Sequence, residues 1–228
     1  MTLLRAVLLT SGLAATLFNG TAQAQRGEQD TPASGAVSKA MVTLQMPALP
    51  APVPVTLNPK TTALLVFDYV EPFCNAEPKC KGEMLSAMTP FLARARKAGL
   101  VVAYGTRQQT ASGWLPEVAP KPGDITVVST AQDRFYNTDL DQRLKAKGIT
   151  TTIMTGWKVS GSVAYSSVGA TLRGYTVVVP VDTTAATTDY EQVIGFYNIL
   201  NQLNGNLTNE PLKPNAPTLS RTDMISFQ

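Results

Sequence analysis

Histidine is missing from this 228-residue sequence. Without an imidazole there is no Ser-His-Asp triad and no histidine-ligated metal. Cysteine is almost missing too: only Cys74 and Cys80 occur, both within FCNAEPKCKG. Two thiols without any histidine are too few soft ligands for a metal site, and no cofactor motif takes their place. Basic clusters are also lacking. Nineteen Lys and Arg against sixteen Asp and Glu leave a formal charge of +3, spread along the chain, which argues against nucleic acid as a partner.

What is present begins with a targeting pattern. Arg5 supplies a positive start, residues 6–18 form an apolar run too short to span a bilayer, and Ala22-Gln23-Ala24 is a small-residue cleavage signal. The expectation is a signal peptide at residues 1–24, cleavage after Ala24, a secreted or periplasmic protein and no membrane association afterwards. No cysteine follows the site, which argues against a lipid anchor. Residues 25–58 are rich in Pro, Ala, Gln and Ser, with PALPAPVP at 47–54, and are expected to be an extended tether with few contacts of its own. Residues 59–228 are expected to form the folded domain. In an exported chain Cys74 and Cys80 close a short loop worth about 2 kcal/mol, and this is the favoured reading. In a reducing compartment they would be two free thiols.

The body alternates between two kinds of segment. Near-continuous apolar runs at 62–67, 100–104, 149–154 and 175–181 read as strands, and helical spacing marks 81–98, 139–147, 162–173 and 189–204. Buried strands separated by helices predict an α/β domain, a three-layer α/β/α sandwich around a mostly parallel sheet. Pro180 must then lie at a strand end or an irregularity. Ligands of such sheets bind at the carboxyl ends of the strands, so the loops after Phe67, Tyr104 and Met154 should converge.

In TGWKVSGSVAYSSVGATLRGY (155–175) an apolar strand turns into a small-residue helix, and Ser162 sits where a nucleophile belongs. Such a turn aims a side chain and free N–H groups at one point, here around Gly161 and Ser162, as an oxyanion hole requires. No base for Ser162 is apparent. Lys158, four residues earlier, makes either a Ser–Lys pair or a solvated turn residue, with solvent favoured.

Three stretches together resemble the isochorismatase-like cysteine hydrolases: ALLVFDYVEPF (63–73), DRFYNTDLDQRLKAKGITTTIMTG (133–156) and TGWKVSGSVAYSSVGATLRGYTVVVPVDTTAA (155–186). The resemblance implies hydrolysis of a small-molecule amide or related C–N or C–O bond, without a cofactor, by an Asp–Lys–Cys triad, and a protein that forms homo-oligomers. Asp68 matches the aspartate. The cysteine position falls on Ser162 and the lysine position at or near Thr130, so two of the three members are changed. A hydroxyl is far harder to ionise than a thiol. The expected protein is therefore an exported hydrolase homologue with a divergent Asp68, Thr130 and Ser162 site. The alternative is an inactive pseudoenzyme that binds a small molecule or acts through its oligomer. Each position also has a plainer reading: Asp68 as a cap, Ser162 as a helix-capping residue in competition with Ser160, and Thr130 as a strand residue. Arg107 and Gln108, after the second strand, and the aromatic Trp157 and Tyr69 complete the expected binding residues. An arginine there either holds a carboxylate or is a solvated loop charge.

Overall fold

The computed structural model describes residues 45, 48–107 and 113–228. The short strand β1 (Val55–Leu57) precedes β2 (Thr62–Phe67), the apolar run TALLVF, which is buried at all six positions. A strand apolar on both faces needs cover on both, and β2 accordingly lies inside a parallel sheet. β3 (Val101–Thr106) and β5 (Thr151–Trp157) flank it, with β4 (Ile125–Val128), β6 (Thr176–Pro180) and β8 (Pro217–Ser220) completing the order β4-β3-β2-β5-β6-β8. The two-residue β7 (Thr184–Ala185) pairs with the end of β5, and every pairing in the sheet is parallel. Pro180 is the last residue of β6, where its missing N–H costs the ladder little.

The pleat of β2 separates two apolar layers. Leu65 and Phe67 join the cluster that contains Leu140 and Leu144 of α3 (Leu140–Lys145), Ala170 of α4 (Ala164–Leu172) and Phe196 of α5 (Asp189–Leu200). Leu64 and Val66 face the cluster built on α1 (Glu71–Cys74) and α2 (Leu85–Lys97). In α2 the buried positions Met88, Phe91, Leu92 and Ala95 recur at three- and four-residue steps, one stripe of a helix. This is the expected three-layer α/β/α arrangement.

The expectation of a tether fails for residues 48–58. Val53 N–H donates to the Leu219 carbonyl at 3.0 Å, Ser220 Oγ donates to the Val53 carbonyl at 2.7 Å, and Asn209 Nδ2 donates to the Ala51 carbonyl at 2.8 Å. β1 then pairs in parallel with β9 (Ile225–Phe227), burying Val55 and Leu57. Residues 48–58 thus belong to the compact unit that holds the sheet, ahead of the expected boundary at residue 59. Proline-rich composition marks an extended backbone, and here that backbone is used for pairing. The apparent glycosylation sequon Asn206-Leu207-Thr208 is closed, because Asn206 is 1% exposed and its Nδ2 donates to the carbonyls of Glu210 and Pro217.

The carboxyl ends of β2, β3 and β5 meet at two glycines. Gly156 (φ +132°) pairs with Phe67, and a Cβ there would lie 2.0 Å from the Phe67 carbonyl oxygen. No side chain fits. Gly105 lies on the other side of Phe67, and its role belongs to the site.

Candidate active site

Asp68 follows β2 directly and takes the left-handed conformation (φ 53°), which carries the chain off the sheet and leaves the carboxylate above the strand ends. It is 2% exposed. The Thr106 hydroxyl, at the end of β3, donates to Oδ1 at 3.1 Å, and the Arg134 guanidinium donates to Oδ2 at 2.5 Å. Arg134 is equally buried, and its other terminal nitrogen donates to the Ala131 carbonyl at 2.5 Å. Its Nε finds no hydrogen-bond partner among the described residues. Gly105 makes room for this side chain: a Cβ there would come within 2.9 Å of Arg134 Cγ. Two opposite charges taken from water hold their place only while both are present.

Arg134 corrects the expectation placed on Thr130. Thr130 is exposed and lies away from the pocket. The segment after β4 winds around Ser129, whose hydroxyl contacts the carbonyls of Asp133 and Tyr136 and accepts from Ala131 N–H. That winding turns Thr130 outward and Arg134 inward, so the cation beside Asp68 comes from a different backbone position than the motif suggested. The one sequence signal was a charged residue set directly before the motif's phenylalanine, Phe135.

Ser162 sits in a π-helical turn, Val159–Val163, entered from β5 through a cis peptide bond between Trp157 and Lys158. It is 4% exposed, and its hydroxyl donates to the Trp157 carbonyl at 2.8 Å. Gly161 has φ −117° and ψ −117°, outside the helical region, and its N–H already donates to the Lys158 carbonyl at 2.9 Å. That donor is therefore unavailable to an oxyanion. Lys158 is engaged as well. Its Nζ bonds the Glu191 carboxylate, which also accepts from Ser160 Oγ at 2.7 Å. The bond from Lys158, then that from Ser160, holds the Glu191 carboxyl below its ordinary range. A Ser162–Lys158 pair is not formed; the lysine's stem instead crosses Gly161, where a Cβ would lie 3.3 Å from Lys158 Cγ.

Asp68, Arg134 and Ser162 line one pocket of about 240 Å³ together with Trp157, Lys158 and Gly161. Arg107 reaches it from the end of β3, its guanidinium 5.3 Å from the centre of the Phe73 ring. Gln108 lies outside the described residues. Tyr69 does not belong to the pocket: it is fully buried, donates to the Thr183 carbonyl at 2.7 Å, and its phenol is pushed up chiefly by burial. The turn at Asp68 sends the next side chain into the α2 layer. Phe73, the last residue of ALLVFDYVEPF, also lines the pocket, as do Glu77, Gln132 and Thr187, which lie outside that stretch. Cys74 and Cys80 are bonded, with Cα atoms 4.9 Å apart. A larger hollow of about 1060 Å³, between residues 49–52 and α5, contains neither Asp68 nor Ser162. Its size is no reason to move the chemistry there, because the buried ion pair and the strand ends lie at the smaller pocket.

Comparison with known proteins gives the same direction. The curated relatives include ureidoacrylate amidohydrolase RutB of Stutzerimonas stutzeri (strain A1501), 31% identical over 121 residues, covering 50% of this chain and 45% of the relative. The RutB of Variovorax paradoxus (strain S110) is 36% identical over 75 residues, 31% of this chain and 27% of that one. The chain thus spans less than half the length of these two relatives. Among solved structures, N-carbamoylsarcosine amidase from Thermoplasma acidophilum superposes with a TM-score of 0.59 at 23% identity, over 72% of this chain and 97% of that one. An isochorismatase from Pseudomonas putida KT2440 does so with a TM-score of 0.62 at 16% identity, over 75% and 93%. At these identities the structures speak for the fold. The isochorismatase domain model matches residues 62–210, the stretch that holds Asp68, Arg134 and Ser162, and the chain belongs to that family.

Proposed function

We propose that this is an exported protein that holds a small amide-bearing molecule in the Asp68–Arg134–Ser162 pocket without forming an acyl intermediate on Ser162. One observation carries the reading. The Ser162 hydroxyl donates its hydrogen bond to the Trp157 carbonyl, which is too weak a base to take the proton, while Asp68 is occupied by Arg134 and Thr106. A serine nucleophile needs a base in contact with its oxygen. The volume limits the ligand to a small molecule, and relatives named for amide hydrolysis supply the amide class. The homo-oligomer implied by the family resemblance is kept as part of the proposal and is read by sedimentation of the mature chain.

A second reading is a slow hydrolase in which Asp68 takes the Ser162 proton. Two observations favour it: both side chains line one pocket, and a cation still touches the aspartate. Residues 25–228, purified from an exporting host, separate the two readings. Thermal shift against primary amides, carbamoylated amines and their carboxylates is expected to show a stabilising compound whose effect survives Ser162→Ala and disappears in a folded Asp68→Asn protein. Turnover of amides, esters and vinyl ethers is expected to stay at the uncatalysed rate. Hydrolysis lost in both variants would instead establish the serine hydrolase.

A further inference from the structure

One wall of the pocket, Glu77, belongs to a small covalent loop, and a second, Phe73, directly precedes it. The Cys74–Cys80 bond brings the chain back to within 4.9 Å of where it left, and both cysteines are buried in the α2 layer, which anchors the base of the loop. From that base the loop reaches the opposite wall. Thr187 Oγ1 donates to Glu77 Oε1 at 2.9 Å, and Lys79 Nζ pairs with Asp189 at 2.9 Å. Each bond joins residues 110 positions apart in sequence. Glu77 and Thr187 both line the pocket, so the first bond lies in its wall; the second lies farther out, with the Asp189 side chain 96% exposed.

We propose that residues 74–80 are a strap, hinged at the disulfide and latched to the start of α5, whose opening admits a ligand to the pocket. The physical case is an asymmetry of strength. A half-exposed hydroxyl–carboxylate bond and a solvated ion pair are both weak and compete with water, and the ion pair is screened by salt. The disulfide at the base does not open on the same timescale. Release of the two latches therefore swings a closed loop as a unit, taking the Glu77 wall with it, and leaves the sheet and the Asp68–Arg134 pair untouched. The strap's purpose rests on the pocket being the ligand site; its test does not.

Trp157 lines the pocket and is 7% exposed. The sequence contains one other tryptophan, Trp114. In a Trp114→Phe protein, acrylamide quenching of the remaining indole reads solvent access to the pocket with no ligand required. Thr187→Val combined with Lys79→Met removes both latches and is expected to raise the quenching constant at least twofold. Cys74→Ser with Cys80→Ser, added to that variant, is expected to raise it further. An unchanged constant in a folded, latch-free protein overturns the strap. Hydrogen exchange across residues 158–163 repeats the comparison with both tryptophans in place. Faster exchange in the latch-free chain supports the strap, and identical exchange overturns it. A strap that opens beside a pocket that stabilises with no compound would sink the binding reading alone.

Discussion

Ser162→Cys is expected to raise amide and ester cleavage over that of the native protein, with a gain on activated substrates of about a hundredfold or more. A thiol carries a few per cent thiolate at neutral pH, whereas a serine hydroxyl carries essentially none. The Arg134 guanidinium lining the same pocket favours the anion further. A hundredfold is only about 2.7 kcal/mol of barrier, well within what one activated nucleophile supplies. The bond that now holds Ser162 Oγ on the Trp157 carbonyl is also lost, because a thiol is a weak donor. Two readouts check this: p-nitrophenyl ester hydrolysis, and trapping of an acyl adduct by intact mass. The native cysteines are bonded to each other, so alkylation reports the introduced thiol alone. Adding Asp68→Asn should remove the gain. A thiol that alkylates like a free one and accelerates nothing would show that the Asp68–Arg134 pair no longer serves this position.

Arg134→Ala is expected to be the most destabilising single change at the site. It leaves the Asp68 carboxylate 2% exposed with Thr106 as its remaining partner. Removing one partner of a buried ion pair costs about 3–5 kcal/mol. For a domain of this size that lowers the unfolding midpoint by roughly 10 °C. Replacing both charges, Asp68→Leu with Arg134→Met, should recover most of the loss, because a neutral pair of similar volume carries no desolvation penalty. Arg134→Lys should fall between, keeping the charge but giving up the fork that also reaches the Ala131 carbonyl. Urea unfolding of the four proteins measures the free energies, and thermal unfolding the shift in temperature. If Arg134→Ala unfolds at the native midpoint, water reaches the carboxylate and the pair is not the keystone of the site.

The sheet was legible because burial on both faces erases the in–out alternation: TALLVF reads as an interior strand on sight, and it is buried at all six positions. The strand at 125–128 was not legible. It is four residues long, alternates between buried and exposed, and sits in a polar stretch. Asp68 and Ser162 could be placed because each sits at a change of periodicity, from strand to turn and from strand to helix. Arg134 could not. Its inward course depends on the Ser129 hydroxyl winding the preceding loop and on the absence of a side chain at Gly105, which lies on a different strand. Tyr69 misled for a related reason. Adjacency to Asp68 suggested a shared pocket, but one left-handed residue reverses the side on which the next side chain emerges. Local pattern names the elements; which of two neighbouring side chains faces the cavity is decided by backbone twist and by room left elsewhere.

The parallel pairing of Val55–Leu57 with Ile225–Phe227 has a consequence in time as well as in space. Thr56 and Ser226, joined hydroxyl to hydroxyl at 2.8 Å, are 170 positions apart. During synthesis β1 therefore waits without its partner until the ribosome has made residues 225–227. The β6 edge waits similarly for residues 217–220. A chain that completes its outermost pairings this late stays longer in a threadable state. If the chain is exported, as proposed above, that delay is time in which a translocation channel can still accept it.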